Sequence, residues 1–158
     1  MAKARRVPVR SFGSEVKIPA VEELAGWVRE QRGSPADLTT YLLDRSLSVQ
    51  EAVDFPCAGG LCYGNRWLSA LHGIRDRVLV HDPDPFTTDV ERDALRIVAA
   101  RKGAWVGIPA PHRLNIRDDY FRDPEESCAA LCGAYRELMR AMRDRGILGH
   151  VILAEIPD

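Results

Sequence analysis

Two imidazoles, four carboxylates and a guanidinium stand directly after three short apolar runs of this chain. His81, Asp82 and Asp84 follow Val78-Leu79-Val80, His112 and Arg113 follow residues 105–108, and Glu155 and Asp158 follow residues 151–154. A histidine beside a carboxylate is a general acid–base pair, because the carboxylate fixes the tautomer of the ring. On that reading His112 is the acid/base, Asp82 and Glu155 are the carboxylates that orient it, and Arg113, with His81 and Asp84, holds an anionic substrate. The same donors suit a divalent metal: His81, Asp82, His112 and Glu155 offer the imidazole and carboxylate ligands that zinc, manganese or iron accept. Their spacing does not choose between the two, since ligands drawn from separate strands leave no local signature.

A second group of reactive residues lies in the stretch Phe55-Pro56-Cys57-Ala58-Gly59-Gly60-Leu61-Cys62-Tyr63-Gly64-Asn65-Arg66-Trp67. Gly59, Gly60 and Gly64 allow backbone N–H groups to approach a phosphate, with Arg66 as counter-ion. The alternative is a glycine-rich turn packed closely against a sheet. Neither the P-loop pattern nor the dinucleotide fingerprint is present. Cys-x5-Arg fails as well, because Tyr63 and Leu68 stand six residues beyond Cys57 and Cys62. The four cysteines fall into two pairs, Cys57/Cys62 and Cys128/Cys132, which raises a thiolate-ligated zinc or iron–sulfur site as a further alternative. The spacing is not that of a zinc knuckle, and Cys128 and Cys132 fall on the face marked by Leu131, Tyr135, Leu138, Met139 and Met142, the core stripe of their helix, where burial is expected. Cys57 and Cys62 are the expected reactive thiols, because a helix N-terminus lowers a thiol pKa.

The elements that must position these residues follow from periodicity and punctuation. The runs at 78–80, 105–108 and 151–154 are too short for helices and apolar on both faces, as strands of a parallel sheet are. Between them lie two amphipathic helices. Thr88 with Glu91 opens one that Gly103 closes; Asp123 as cap, Pro124 at the first position and Glu126 at the third open another that ends before Gly146. The expected fold is α/β: a three-layer sandwich on a mainly parallel sheet, βαβαβ over residues 77–156, with an N-terminal hairpin and helical region packed on it. The hairpin would pair residues 7–10 with 15–18. Helices follow over 20–32, from Ser34-Pro35, and from the capping box of Ser48 and Glu51. Residues 67–72 read as an amphipathic segment stopped by Gly73. The 158 residues suffice for one domain, divided into an N-terminal part over 1–55 and the core over 56–158.

With 22 Lys and Arg against 23 Asp and Glu the net charge is −1, and the pI is about 6.4. That balance removes the basic face of a dedicated nucleic-acid binder. No stretch reaches the length of a membrane span and no signal-peptide core is visible, so a cytoplasmic protein with reduced thiols and no membrane partner is expected. Trp27, Trp67 and Trp105 are expected in the core or an interface rather than as base-stacking platforms. The expected function is that of a small α/β enzyme, a hydrolase or transferase, taking a phosphorylated or nucleotide-like metabolite where the parallel strands end. The alternatives are a non-catalytic ligand- or protein-binding regulatory module and the thiolate-ligated metal protein. The N-terminal helices either complete the core or form the interface of a homo-oligomer.

Overall fold

The computed structural model describes residues 7–13 and 17–154. Its centre is a parallel sheet in the order β1-β4-β6, built from β1 (Cys57–Gly59), β4 (Trp105–Pro109) and β6 (Gly149–Leu153). Helices pack around it: α1 (Val21–Glu30), α2 (Leu38–Ser48), α3 (Gly64–Ser69), α4 (Thr88–Ala100) and α5 (Pro124–Asp144). The class is α/β. Two of the apolar runs therefore do lie side by side and point the same way, Trp105 to Pro109 facing Gly149 to Leu153 in register.

The first run does not join them. Val78 opens β3 (Val78–Pro85), which forms an antiparallel hairpin with β2 (Leu71–Arg75), and β5 (Arg117–Asp118) adds a short parallel partner. The third strand of the main sheet is instead β1, inside the glycine-rich stretch. The strand expected over 78–80 continues through His81-Asp82-Pro83-Asp84-Pro85, all of it part of β3. A proline can sit there because β5 pairs only with Val78 and Leu79, so one side of β3 beyond them has no ladder for Pro83 or Pro85 to interrupt. Residues 67–72 are not one amphipathic segment either: α3 ends at Ser69 and Leu71 already belongs to β2.

The N-terminal part differs in detail. Arg10 bridges to Phe55, with Phe55 N–H donating to Val9 O and Ser11 N–H to Phe55 O, so the first half of the expected hairpin pairs with the chain entering β1. Residues 15 and 16 of its expected partner lie outside the described residues. Helix α2 starts after Asp37, not at Ser34-Pro35. The Asp37 carboxylate accepts from Thr40 N–H, and Thr40 Oγ1 accepts from Asp37 N–H, a complete capping box. Ser48 is the last residue of α2, its hydroxyl donating to Arg45 O, so it opens no further helix. Helix α5 begins as its punctuation requires, with Asp123 accepting from Glu125 and Glu126 N–H and Pro124 at the first position.

The core lies between the main sheet and the helices: Leu43, Trp67, Val90, Val106, Ile108, Leu138 and Met142 are all buried. One charge is buried with them. Asp93 on α4 accepts from the Tyr63 hydroxyl at 2.9 Å and Arg66 Nε at 2.8 Å, and Arg66 Nη2 reaches Asp37 at 2.7 Å. Burial pushes the Asp93 carboxyl pKa up while Arg66 and Tyr63 pull it down, the net direction being upward. Breaking such a network strands a buried charge, so it ties α2, α3 and α4 into one arrangement. Among the described residues no helix is long and apolar enough to cross a membrane.

Candidate functional site

Strands β1 and β4 end on the same edge, and the segments leaving them form the walls of a cleft of about 280 Å³. From β1 come Cys62, in a 3-10 turn (Gly60–Tyr63), and Gly64 and Asn65 of α3; from β4 come Pro109 and, in a second 3-10 turn (Pro111–Leu114), Arg113 and Leu114. The remaining wall is Arg77, from the tip of the β2–β3 hairpin. Asp76 and Arg77 both have positive φ, 47° and 61°, the pair of left-handed residues that a two-residue hairpin turn with the twist of its strands requires. That turn places Arg77 so that its Nη1 donates to Leu114 O. Arg77 O accepts in turn from Arg117 N–H, locking the hairpin tip to β5.

The turn after β1 is shaped by packing. Gly59 has φ +83°, and a Cβ there would stand 2.7 Å from Gly107 O, so the chain can turn against β4 only with glycine. Gly59 and Gly60 are buried in that contact, the close-packed alternative to a phosphate cradle. Cys62 Sγ donates to Gly59 O at 3.1 Å, and burial pushes its thiol pKa up. Cys57, buried in β1, is pushed up to about 12 by burial, against the smaller opposing effects of a Gly107 backbone hydrogen bond and Arg10. Neither thiol has the lowered pKa expected from its place before a helix.

Of the residues expected to act together, Gly64 and Arg113 line this cleft. His112 is an exposed residue of the same 3-10 turn as Arg113 but does not line the cleft. His81, Asp82 and Asp84 are exposed on β3, in the other sheet, where the His81 ring meets Tyr120 edge-on and Asp84 faces His72 across the hairpin. Arg66 is turned to Asp93 and Asp37. Glu155 and Asp158 lie outside the described residues. Among the described residues no three His, Cys, Asp or Glu side chains gather as metal ligands, so His81, Asp82 and His112 do not form the expected divalent site. The four-thiolate alternative fails on the same geometry: Cys57 is buried in β1, while Cys128 and Cys132 are exposed on α5 rather than in its core stripe. Trp67 is buried against Tyr135 and Tyr63, Trp27 packs edge-on to Tyr41, and Trp105 lies under the Arg10 guanidinium, all in structural roles.

Arg77 and Asn65 are the polar cleft residues absent from the sequence-based set, beside the apolar Leu61, Pro109 and Leu114. Arg77 had a signal: Asp76-Arg77 stands between Arg75, which follows the apolar Ile74, and the run 78–80, the spacing of a two-residue hairpin loop. Asn65 had none beyond its place in the glycine-rich stretch. No protein-family model, no curated protein and no solved structure matches this chain.

Proposed function

We propose that the chain is a binding module for a small anionic metabolite, a phosphate monoester or a carboxylate, held in the cleft where β1 and β4 end. The observation that carries this reading is the convergence of Arg77, from the tip of the β2–β3 hairpin, and Arg113, from the 3-10 turn after β4, on one cleft that Asn65 also lines. Guanidinium forks match the paired oxygens of phosphate and carboxylate, and the ends of parallel strands are where α/β sheets commonly receive ligands. At about 280 Å³ the cleft is at the lower end of small-molecule sites, which favours a compact ligand over a dinucleotide. Binding is preferred to turnover because, among the described residues, the cleft lining offers no histidine or carboxylate, and its thiol, Cys62, has its pKa raised by burial. The expected partner is thus the ligand itself.

A thermal-shift panel of phosphorylated and carboxylated metabolites, each beside its neutral alcohol or amide, tests the reading. One class of anion is expected to raise the melting temperature, a ligand at 100 times its Kd adding about 2.7 kcal/mol. Arg77→Gln and Arg113→Gln are each expected to weaken the response by roughly tenfold or more in Kd, the loss of about one charge-assisted hydrogen bond. Equal responses to the neutral analogues, or release of phosphate from a bound monoester, would contradict it.

A further inference from the structure

Helix α5 carries a second feature with a chemistry of its own. Its buried stripe, Leu131, Ala134, Tyr135, Leu138 and Met142, faces the core. Beside that stripe, Met139 of α5 and Ile152 of β6 form part of the floor of a groove of about 670 Å³. Ile152 is 52% exposed on a strand that, among the described residues, pairs in the sheet with β4 alone. Over the floor stand Arg136, Arg140 and Arg143, spaced i, i+4, i+7 and so spread over about 10 Å of helix.

Among the described residues these three guanidiniums make no ion pair or hydrogen bond, whereas Arg66, Arg92, Arg96, Arg117 and Arg145 each meet a carboxylate. Asp144 lines the C-terminal end of the groove, so three positive charges against one leave a net of two, displaced toward Arg136 and Arg140. The volume lies in the middle of the range for small-molecule sites and is far larger than a bare ion needs. An apolar floor with uncompensated cations on one rim is complementary to a ligand with an apolar body and an anionic head.

We infer that this groove binds a soluble amphiphilic anion, an aliphatic or aromatic body lying over Met139 and Ile152 with its carboxylate or phosphate at Arg136 and Arg140. The groove shares no lining residue with the cleft at the strand ends, so the two sites stand or fall separately.

Isothermal titration of the full chain with decanoate, decanol, inorganic phosphate and an acidic amphipathic peptide tests it. Decanoate is expected to bind at one saturable site at least about tenfold more tightly than decanol, with phosphate not competing at millimolar levels. The double variant Arg136→Gln, Arg140→Gln is expected to remove that tenfold preference while retaining decanol binding, and Ile152→Asp to remove both. Arg77→Gln, in the other cleft, is expected to leave the decanoate and decanol affinities as they are in the parent. Equal affinity for decanoate and decanol, displacement of decanoate by phosphate, loss of decanoate binding in Arg77→Gln, or saturation by the peptide alone would each overturn the inference.

Discussion

His150 shows how a single side chain couples this fold to pH. It is the second residue of β6, partly covered, and its Nε2 is buried with no partner among the described residues. Burial, with the Arg143 charge as a smaller cause, lowers its pKa from 6.5 to about 4. The folded state thus holds the ring neutral where the unfolded chain protonates it. The associated stability is complete above 6.5 and is lost as the pH falls toward about 4, a total of roughly 3 kcal/mol. Urea denaturation at pH 7 and pH 4.5 is expected to show a marked loss in the parent protein and a much smaller one in His150→Gln; an undiminished loss in the variant would exclude His150 as its source. The place of His150 at the start of a strand was legible from the sequence, but its burial was not, because it depends on what packs across the strand. The same holds for Cys128 and Cys132. Their spacing puts them on the apolar face of α5, yet they are exposed, because the stripe that faces the core runs through Ser127, Leu131, Ala134, Tyr135, Leu138 and Met142.

Elements were legible where local chemistry decides them. The Asp123-Pro124 start of α5 and the apolar run of β4 are dictated within a few residues, and both form as expected. Strand β6 begins two residues earlier than its apolar run because Gly149 is the place where the Trp105 ring crosses: a Cβ there would stand 2.5 Å from the indole. The β2–β3 hairpin was missed because its strands contain Gly73, Pro83 and Pro85, residues that argue against a strand until the neighbouring chain is known. Its tip also carries backbone strain beside the proposed site. An arginine with φ 61° adopts a backbone conformation that L side chains disfavour by about 1 kcal/mol, and here that residue faces the cleft. Replacing Arg77 with glycine relieves the backbone and loses the bond to Leu114 O, so stability by urea denaturation is expected to stay within about 1 kcal/mol of the parent. Anion binding should fall together with it. A variant that binds anions as the parent does would place the ligand elsewhere, and one that loses several kcal/mol would make Arg77 a structural residue.

For the whole molecule, the α/β class was readable because apolar runs alternate with capped amphipathic helices, and two of those runs do pair in parallel. The membership of the sheet was not readable. Strand β1 is three residues long and ends in glycine, giving no periodic signal, and its pairing with β4 is fixed by a close approach of Gly59 to Gly107 across some fifty residues of chain. That exchange of one strand for another moved His81, Asp82 and Asp84 out of the expected constellation and left the strand-end cleft to arginines. The most direct measurement of this arrangement is the map of backbone amide shifts as a phosphate monoester that responds in the thermal-shift panel is titrated into the labelled protein. Saturable shifts centred on Cys62, Gly64, Asn65, Arg77, Arg113 and Leu114, absent in the double variant Arg77→Gln, Arg113→Gln, are the predicted result. Shifts centred on His81, Asp82 and Asp84 of β3, or undiminished shifts in the double variant, would contradict it.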